Sequence, residues 1–203
     1  MIFILSFWGL LAERVDFWEV WRNVLGRRDL VEEVSWFVEE VNAAGYEVPL
    51  QAVARLFAKR AGGDPRELAG RFVEEVSARL APRPCAVDFL RWLRGRWRFA
   101  VLSNTPCRCF PRLFLERWGV EADLVATSDV LLRRKPSKAV FRYVLGRLGV
   151  EPHEAVYVGD GEEDLGAMGL GLFTIMVGSR GGHLDFPTLC EAWSWVRANL
   201  AKS

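Results

Sequence analysis

The chain has 203 residues, 51% of them hydrophobic and 26% charged, which is enough apolar content to fill the core of one α/β domain. Its net charge is +1, with acidic and basic residues interspersed, so nothing in the charge balance favours nucleic acid or an anionic membrane as a partner. The apolar N-terminal run lacks a positive flank, a small-residue cleavage site and the length of a bilayer span, and a cytoplasmic protein is expected.

Residues 2–5 read as a buried strand. From residue 12 to residue 81 no strand-like run appears. Leu30, Val34, Phe37, Val38 and Val41 share one helical face there, as do Leu68, Phe72, Val76 and Leu80. Asp64 before Pro65 is a helix start with proline at the first helical position. Residues 12–81 are therefore expected to form a helical cap inserted into a core made of residues 1–11 and 82–203.

Beyond the insertion, short apolar runs at 99–102, 124–126, 156–158 and 172–177 alternate with helical stretches at 85–96, 106–118, 137–148, 162–168 and 186–201. Alternation of this kind predicts an α/β, Rossmann-like fold with a parallel five-stranded sheet and helices on both faces. Ligands of such sheets sit beyond the C-terminal ends of the strands.

Cys107-Arg108-Cys109 lacks a second close pair, which argues against a tetrahedral metal site; Cys85, Cys107, Cys109 and Cys190 are expected to be buried or half-buried thiols. Trp18, Trp21, Trp92 and Trp97 read as core or interface filler, whereas Trp36 lies off its helix's apolar stripe and is expected to be exposed.

Four motifs fall at strand ends or open the next helix. They are Leu5-Ser6-Phe7-Trp8-Gly9, Leu102-Ser103-Asn104-Thr105, Arg134-Lys135-Pro136-Ser137 and Val158-Gly159-Asp160-Gly161-Glu162-Glu163-Asp164. A hydroxyl at a strand end, a lysine before a helix and an acidic loop together suit a phosphate held beside a divalent cation. Ser103, Asn104 and Lys135 are the candidate phosphate ligands, and Asp160 with Asp164 the candidate metal ligands. A cation at a helix N-terminus needs a facing anion, so Lys135 is expected to pair with Asp160. Asp164 suits a helix cap as well as it suits the site. Gly166, Gly169 and Gly171 do not form a dinucleotide fingerprint, since they lead into a strand instead of following one.

The order and spacing of these motifs, with a cap after the first strand, resemble the haloacid dehalogenase superfamily of phosphatases and dehalogenases over nearly the whole chain. The resemblance implies a strand order of 3-2-1-4-5 and a hydrolytic site that uses Mg²⁺ in the phosphatases. The first motif departs from the family pattern. Phosphatases there read Asp-x-Asp-Gly-Thr and dehalogenases Asp-x-Tyr-Gly-Thr, the first Asp being the nucleophile and the second, in phosphatases, the general acid. Here Ser6 and Trp8 stand at those two catalytic positions, followed by Gly9 and Leu10.

A serine hydroxyl needs a base to attack, and His153 and His183 lie outside these motifs. The loss of one carboxylate also leaves Mg²⁺ binding weak or absent. The reading that follows is a family member with a degenerate site, as monomer or homodimer, that binds a small phosphorylated ligand or acts as a regulatory protein without hydrolysis. An active phosphatase on a small phosphomonoester and a cap-mediated protein-interaction module are the alternatives.

Overall fold

In a computed structural model that describes residues 1–200, β1 (Ile2–Leu5) opens the sheet. Helices α1 (Phe17–Leu25), α2 (Arg28–Ala43), α3 (Leu50–Ala61) and α4 (Pro65–Ala78) follow before the sheet resumes. After them come α5 (Ala86–Arg94), β2 (Arg98–Ser103), α6 (Cys109–Arg117), β3 (Leu124–Thr127), the short α7 (Ser128–Leu131), α8 (Lys138–Leu148), β4 (Ala155–Gly159), β5 (Phe173–Val177), β6 (Leu184–Phe186) and α9 (Leu189–Asn199). Asp16 caps α1 by accepting from the backbone of Trp18 and Glu19, and Asp64 caps α4 ahead of Pro65, as its sequence predicts.

The strands pair in parallel in the order β3-β2-β1-β4-β5-β6. Five of them match the expected sheet. The sixth is an addition, which overlaps the expected helix at 186–201 by Phe186 alone. Asp185 accepts hydrogen bonds from the backbone of Gly181 and Gly182, and the turned chain lays Leu184–Phe186 along β5. Helix α9 therefore begins at Leu189, with Phe186 packed on Trp195 at 6.2 Å. Residue 201, the expected end of that helix, lies outside the described residues. The expected helix at 162–168 is a 3-10 segment (Glu162–Leu170).

β1 is buried on both faces, which is why its sequence is apolar without alternation. Phe3, Leu5, Phe99, Val101, Val156 and Val158 face one layer, formed by α5, α6 and α9 together with the inserted helices. Ile2, Ile4, Ala100, Leu102 and Tyr157 face the other, covered by α8 and the 162–170 segment. The apolar residues of α1–α4, among them Trp21, Phe57 and Phe72, are continuous with the first layer instead of forming a core apart. Trp36 is 70% exposed.

The cysteines correct the expectation of thiols. Cys85, at the start of α5, is bonded to Cys190 in the first turn of α9, and Cys107 is bonded to Cys109. Helices α5 and α9 pack side by side and bring the Cα atoms of the first pair to 5.4 Å, a normal separation for a disulfide. That bridge closes a loop of 105 residues, so Cys190→Ser is expected to lower unfolding stability by about 2–5 kcal/mol. The readout is the guanidinium midpoint. Cys107→Ser, which opens almost no loop, should move it far less.

Candidate anion site at the strand ends

The registers of β1, β2 and β4 set Leu5 beside Val101 and Val158, so Ser6, Ser103 and Asp160 emerge at one end of the sheet. Lys135 enters from the loop before α8 and is almost fully buried, at 4% exposure. Its ammonium donates to Ser6 Oγ at 3.0 Å, Tyr157 Oη at 3.2 Å and Asp164 Oδ1 at 2.6 Å. Three donors meet three acceptors, and the lysine has none left over.

Lys135 thus pairs with Asp164, not with Asp160 as its sequence suggested. Asp164 is fully buried, and each of its oxygens has two partners. Oδ1 takes Lys135 and the Tyr157 hydroxyl, while Oδ2 takes the backbone N–H groups of Asp160 and Gly161. Burial alone would raise its pKa, but the charge and hydrogen bond of Lys135, with Tyr157 and the backbone, hold it below the ordinary value. Tyr157, desolvated and facing this carboxylate, is pushed well above the usual phenol range.

Asp160 is left to another partner. Arg14, in the loop after β1, bonds to its Oδ2. Burial nevertheless keeps the Asp160 pKa above the ordinary carboxylate value, against the pull of Arg14. Asn104 also has a role that its sequence did not announce. Its amide holds the Lys135 backbone, accepting from N at 2.8 Å and donating to O at 3.1 Å, so it positions the lysine loop while one N–H remains toward the cavity it lines.

Ser103 keeps the place predicted for it. Its Oγ is buried without a hydrogen-bond partner, as is the Trp8 Nε1, and both side chains line a cavity of about 200 Å³ with Arg14, Arg134, Lys135 and Glu163. The Trp8 ring is wedged among Phe7, Phe17 and Phe110 and forms part of an aromatic wall. A neighbouring cavity of about 120 Å³ beneath the inserted helices shares Phe17, Asn104 and Arg134 with the first and is lined by Trp21, Val53 and Phe72. A larger cleft of about 520 Å³ runs beside β3 but holds none of the strand-end residues.

The sequence reading gave no role to Arg14, Tyr157, Glu47 or Ser128, nor to Arg134 beyond its place in the third motif. Glu47 is buried and bonded to both Ser128 and Arg134, which ties the turn between α2 and α3 to the lysine loop. Desolvation raises its pKa despite Arg134.

A divalent cation does not fit the residues present. Hard cations take several oxygen ligands, yet Asp164 is saturated, Ser6 brings no charge and Asp160 faces a guanidinium. Among the described residues no group of three or more His, Cys, Asp or Glu converges as a metal site.

A family model described as haloacid dehalogenase-like hydrolase matches residues 4–169. A pyrimidine 5'-nucleotidase, YjjG, from Escherichia coli is 30% identical over 144 residues, 68% of this chain and 63% of its own. Phosphoglycolate phosphatase 1 from Pseudomonas aeruginosa is 33% identical over 84 residues, 40% of this chain and 31% of its own. These alignments span less than two thirds of either relative's length. Among solved structures, 2-haloacid dehalogenase from Pseudomonas syringae superposes with a TM-score of 0.73 at 18% identity, covering 99% of this chain and 98% of that one. An HAD phosphatase from Thermococcus onnurineus gives 0.68 at 24%, covering 96% and 97%. At such identities the likeness is one of fold. No helix among the described residues is long and apolar enough to cross a membrane.

The Lys135–Asp164 pair generates a stability prediction. Asp164→Asn leaves a buried ammonium without its counter-ion and should cost about 3–5 kcal/mol, whereas adding Lys135→Met to it should recover part of the loss. Since the folded-state pKa of Asp164 is depressed, its contribution is present above the unfolded carboxylate value and lost as pH falls through the folded one. Asp160 and Glu47, with raised values, act in the opposite sense and cost stability as pH rises through theirs. Acid titration of unfolding should therefore show a falling limb in the wild type that Asp164→Asn lacks.

Proposed function

The chain belongs to the haloacid dehalogenase-like hydrolase family, and within it we propose that this protein binds a small phosphate-bearing ligand without hydrolysing it. One observation carries the reading. A buried, unpartnered Ser103 hydroxyl lines a cavity with two arginines, while the residue at the nucleophile position is a neutral serine. Buried polar groups are nearly always satisfied, so an orphaned hydroxyl in a cavity points to a ligand atom. Two relatives bear the names of enzymes acting on phosphate compounds, which supports phosphate as the head group. The adjoining cavity of about 120 Å³ has room for a small organic portion.

The absence of turnover follows from the chemistry of Ser6. Its hydroxyl accepts from the Lys135 ammonium, itself held by Asp164, so the lysine is not available as a base to take its proton. Any phosphoserine formed would lack the labile acyl-phosphate linkage that water cleaves readily.

Calorimetric titration with inorganic phosphate should detect binding, and Ser103→Ala should weaken it about tenfold. Para-nitrophenyl phosphate should not turn over. Ser6→Asp should at most restore feeble hydrolysis, and adding Trp8→Asp should improve it, since a general acid contributes about 10² to 10⁴ in rate. Wild-type hydrolysis abolished by Ser6→Ala would make the serine a nucleophile and overturn the reading. Hydrolysis that survived Ser6→Ala would overturn it equally, by placing the chemistry elsewhere.

A further inference from the structure

Arg14 occupies an unusual place. Its loop leaves β1 through Gly9, whose φ of +87° is left-handed, and the arginine folds back over that glycine to reach Asp160. A Cβ on Gly9 would fall 2.0 Å from Asp160 Oδ2 and 2.7 Å from Arg14 Nε, so the ion pair rests directly on bare backbone. Only glycine fits beneath it. The carboxylate that a metal would need most is therefore closed by a guanidinium from the loop that also carries Ser6 and Trp8.

The guanidinium is not spent by this bond. It has five N–H donors in a planar fork, and its hydrogen bond to Asp160 uses one nitrogen. The Arg14 side chain is 62% exposed and lines the same cavity as Ser103 and Trp8. A fork of this shape can hold a carboxylate on one edge and an oxyanion on another.

Charge alone does not make this cavity an anion site. Arg14, Lys135 and Arg134 are matched by Asp160, Asp164 and Glu47, and Glu163 lies close by. Binding must rest on short-range donors, of which Lys135 offers none and Arg14 the most accessible.

We propose that Arg14 is the built-in cation of this site: it stands at Asp160 where a divalent metal would be needed, and its free N–H groups bind a phosphate oxyanion without metal. The proposal rests on the phosphate-binding reading for its second half and on the Arg14–Asp160 geometry for its first.

Two titrations test the halves separately. Inorganic phosphate is titrated into the wild type and Arg14→Met, each in EDTA and in millimolar MgCl₂. Equal wild-type affinity in both buffers, with a loss of about tenfold in Arg14→Met, is expected, in line with a charge-assisted bond. Tighter wild-type binding in MgCl₂, or unchanged binding by Arg14→Met, would overturn the assignment while leaving the phosphate site intact. Mg²⁺ is then titrated into Ser6→Asp and into Ser6→Asp/Arg14→Met. The double variant should bind it at least about tenfold more tightly, because only there do two carboxylates face the ion without the Arg14 guanidinium between them. Equal affinities would show that Arg14 does not hold the cation's place. If the wild type binds no phosphate in either buffer, the ligand reading fails and the Mg²⁺ comparison alone decides the role of Arg14. Circular dichroism of each variant, at a site where Arg14 is largely exposed, separates loss of binding from loss of fold.

Discussion

A single ammonium group sets the terms for the rest of the strand-end cluster. Lys135 is held with almost no access to water, and a charge in that position is tolerated only with a close counter-ion and full hydrogen bonding. Asp164 supplies the charge, and Ser6 with Tyr157 supplies the remaining acceptors. The backbone of the same lysine is clamped by the Asn104 amide, which ties the end of β2 to the loop before α8. Because Asp164 is drawn inward, its second oxygen is free to brace the turn that presents Asp160. Asp160 then points outward, toward Arg14. The geometry of the cavity thus descends from the partners of one buried lysine.

Above this ionic floor the walls are aromatic. Trp8, Phe17, Phe72 and Phe110 contact one another between β1, α1, α4 and α6, and they join the inserted helices to the sheet. A second tie is polar: Glu47 bridges Ser128 and Arg134 across the same gap. Since the insertion shares its apolar cluster with the sheet, opening it would expose aromatic surface. Access through the smaller cavity therefore depends on the packing of rings around Phe17.

Much of this was readable in the chain, and the failures have physical causes. Apolar runs without alternation announced buried parallel strands, and β1 is buried along its whole length. Asp64-Pro65 announced a helix start because proline has a fixed place there. Ser103 and Asp160 sit at strand ends because strand length and parallel register dictate it. The partner of Lys135 was not readable. Asp160 and Asp164 lie four residues apart, and only the turn between them decides which carboxylate faces inward. Arg14 pairs across 146 residues of sequence and lay within a segment read as cap, so no local pattern marked it. Cysteine connectivity is likewise invisible to spacing when the partners are 105 residues apart. Strand β6 is three residues long, too short to show a period.

The three unusual residues of the first loop make sense only together. A carboxylate at position 6 would sit within reach of the Lys135 ammonium and compete with Asp164 for it. Neutral Ser6 removes that competition and lets the lysine settle into a closed network. Without a second carboxylate beside it, Asp160 lacks the company a divalent ion requires, and Arg14 satisfies it with a charge fixed to the chain. Trp8 is packing, its ring set among Phe7, Phe17 and Phe110, while the bare side of Gly9 is taken by the Arg14–Asp160 pair. Residues in one network of hydrogen bonds and contacts do not act additively. Ser6 enters that network through Lys135 and Arg14 through Asp160, so substitutions at the two are expected to couple.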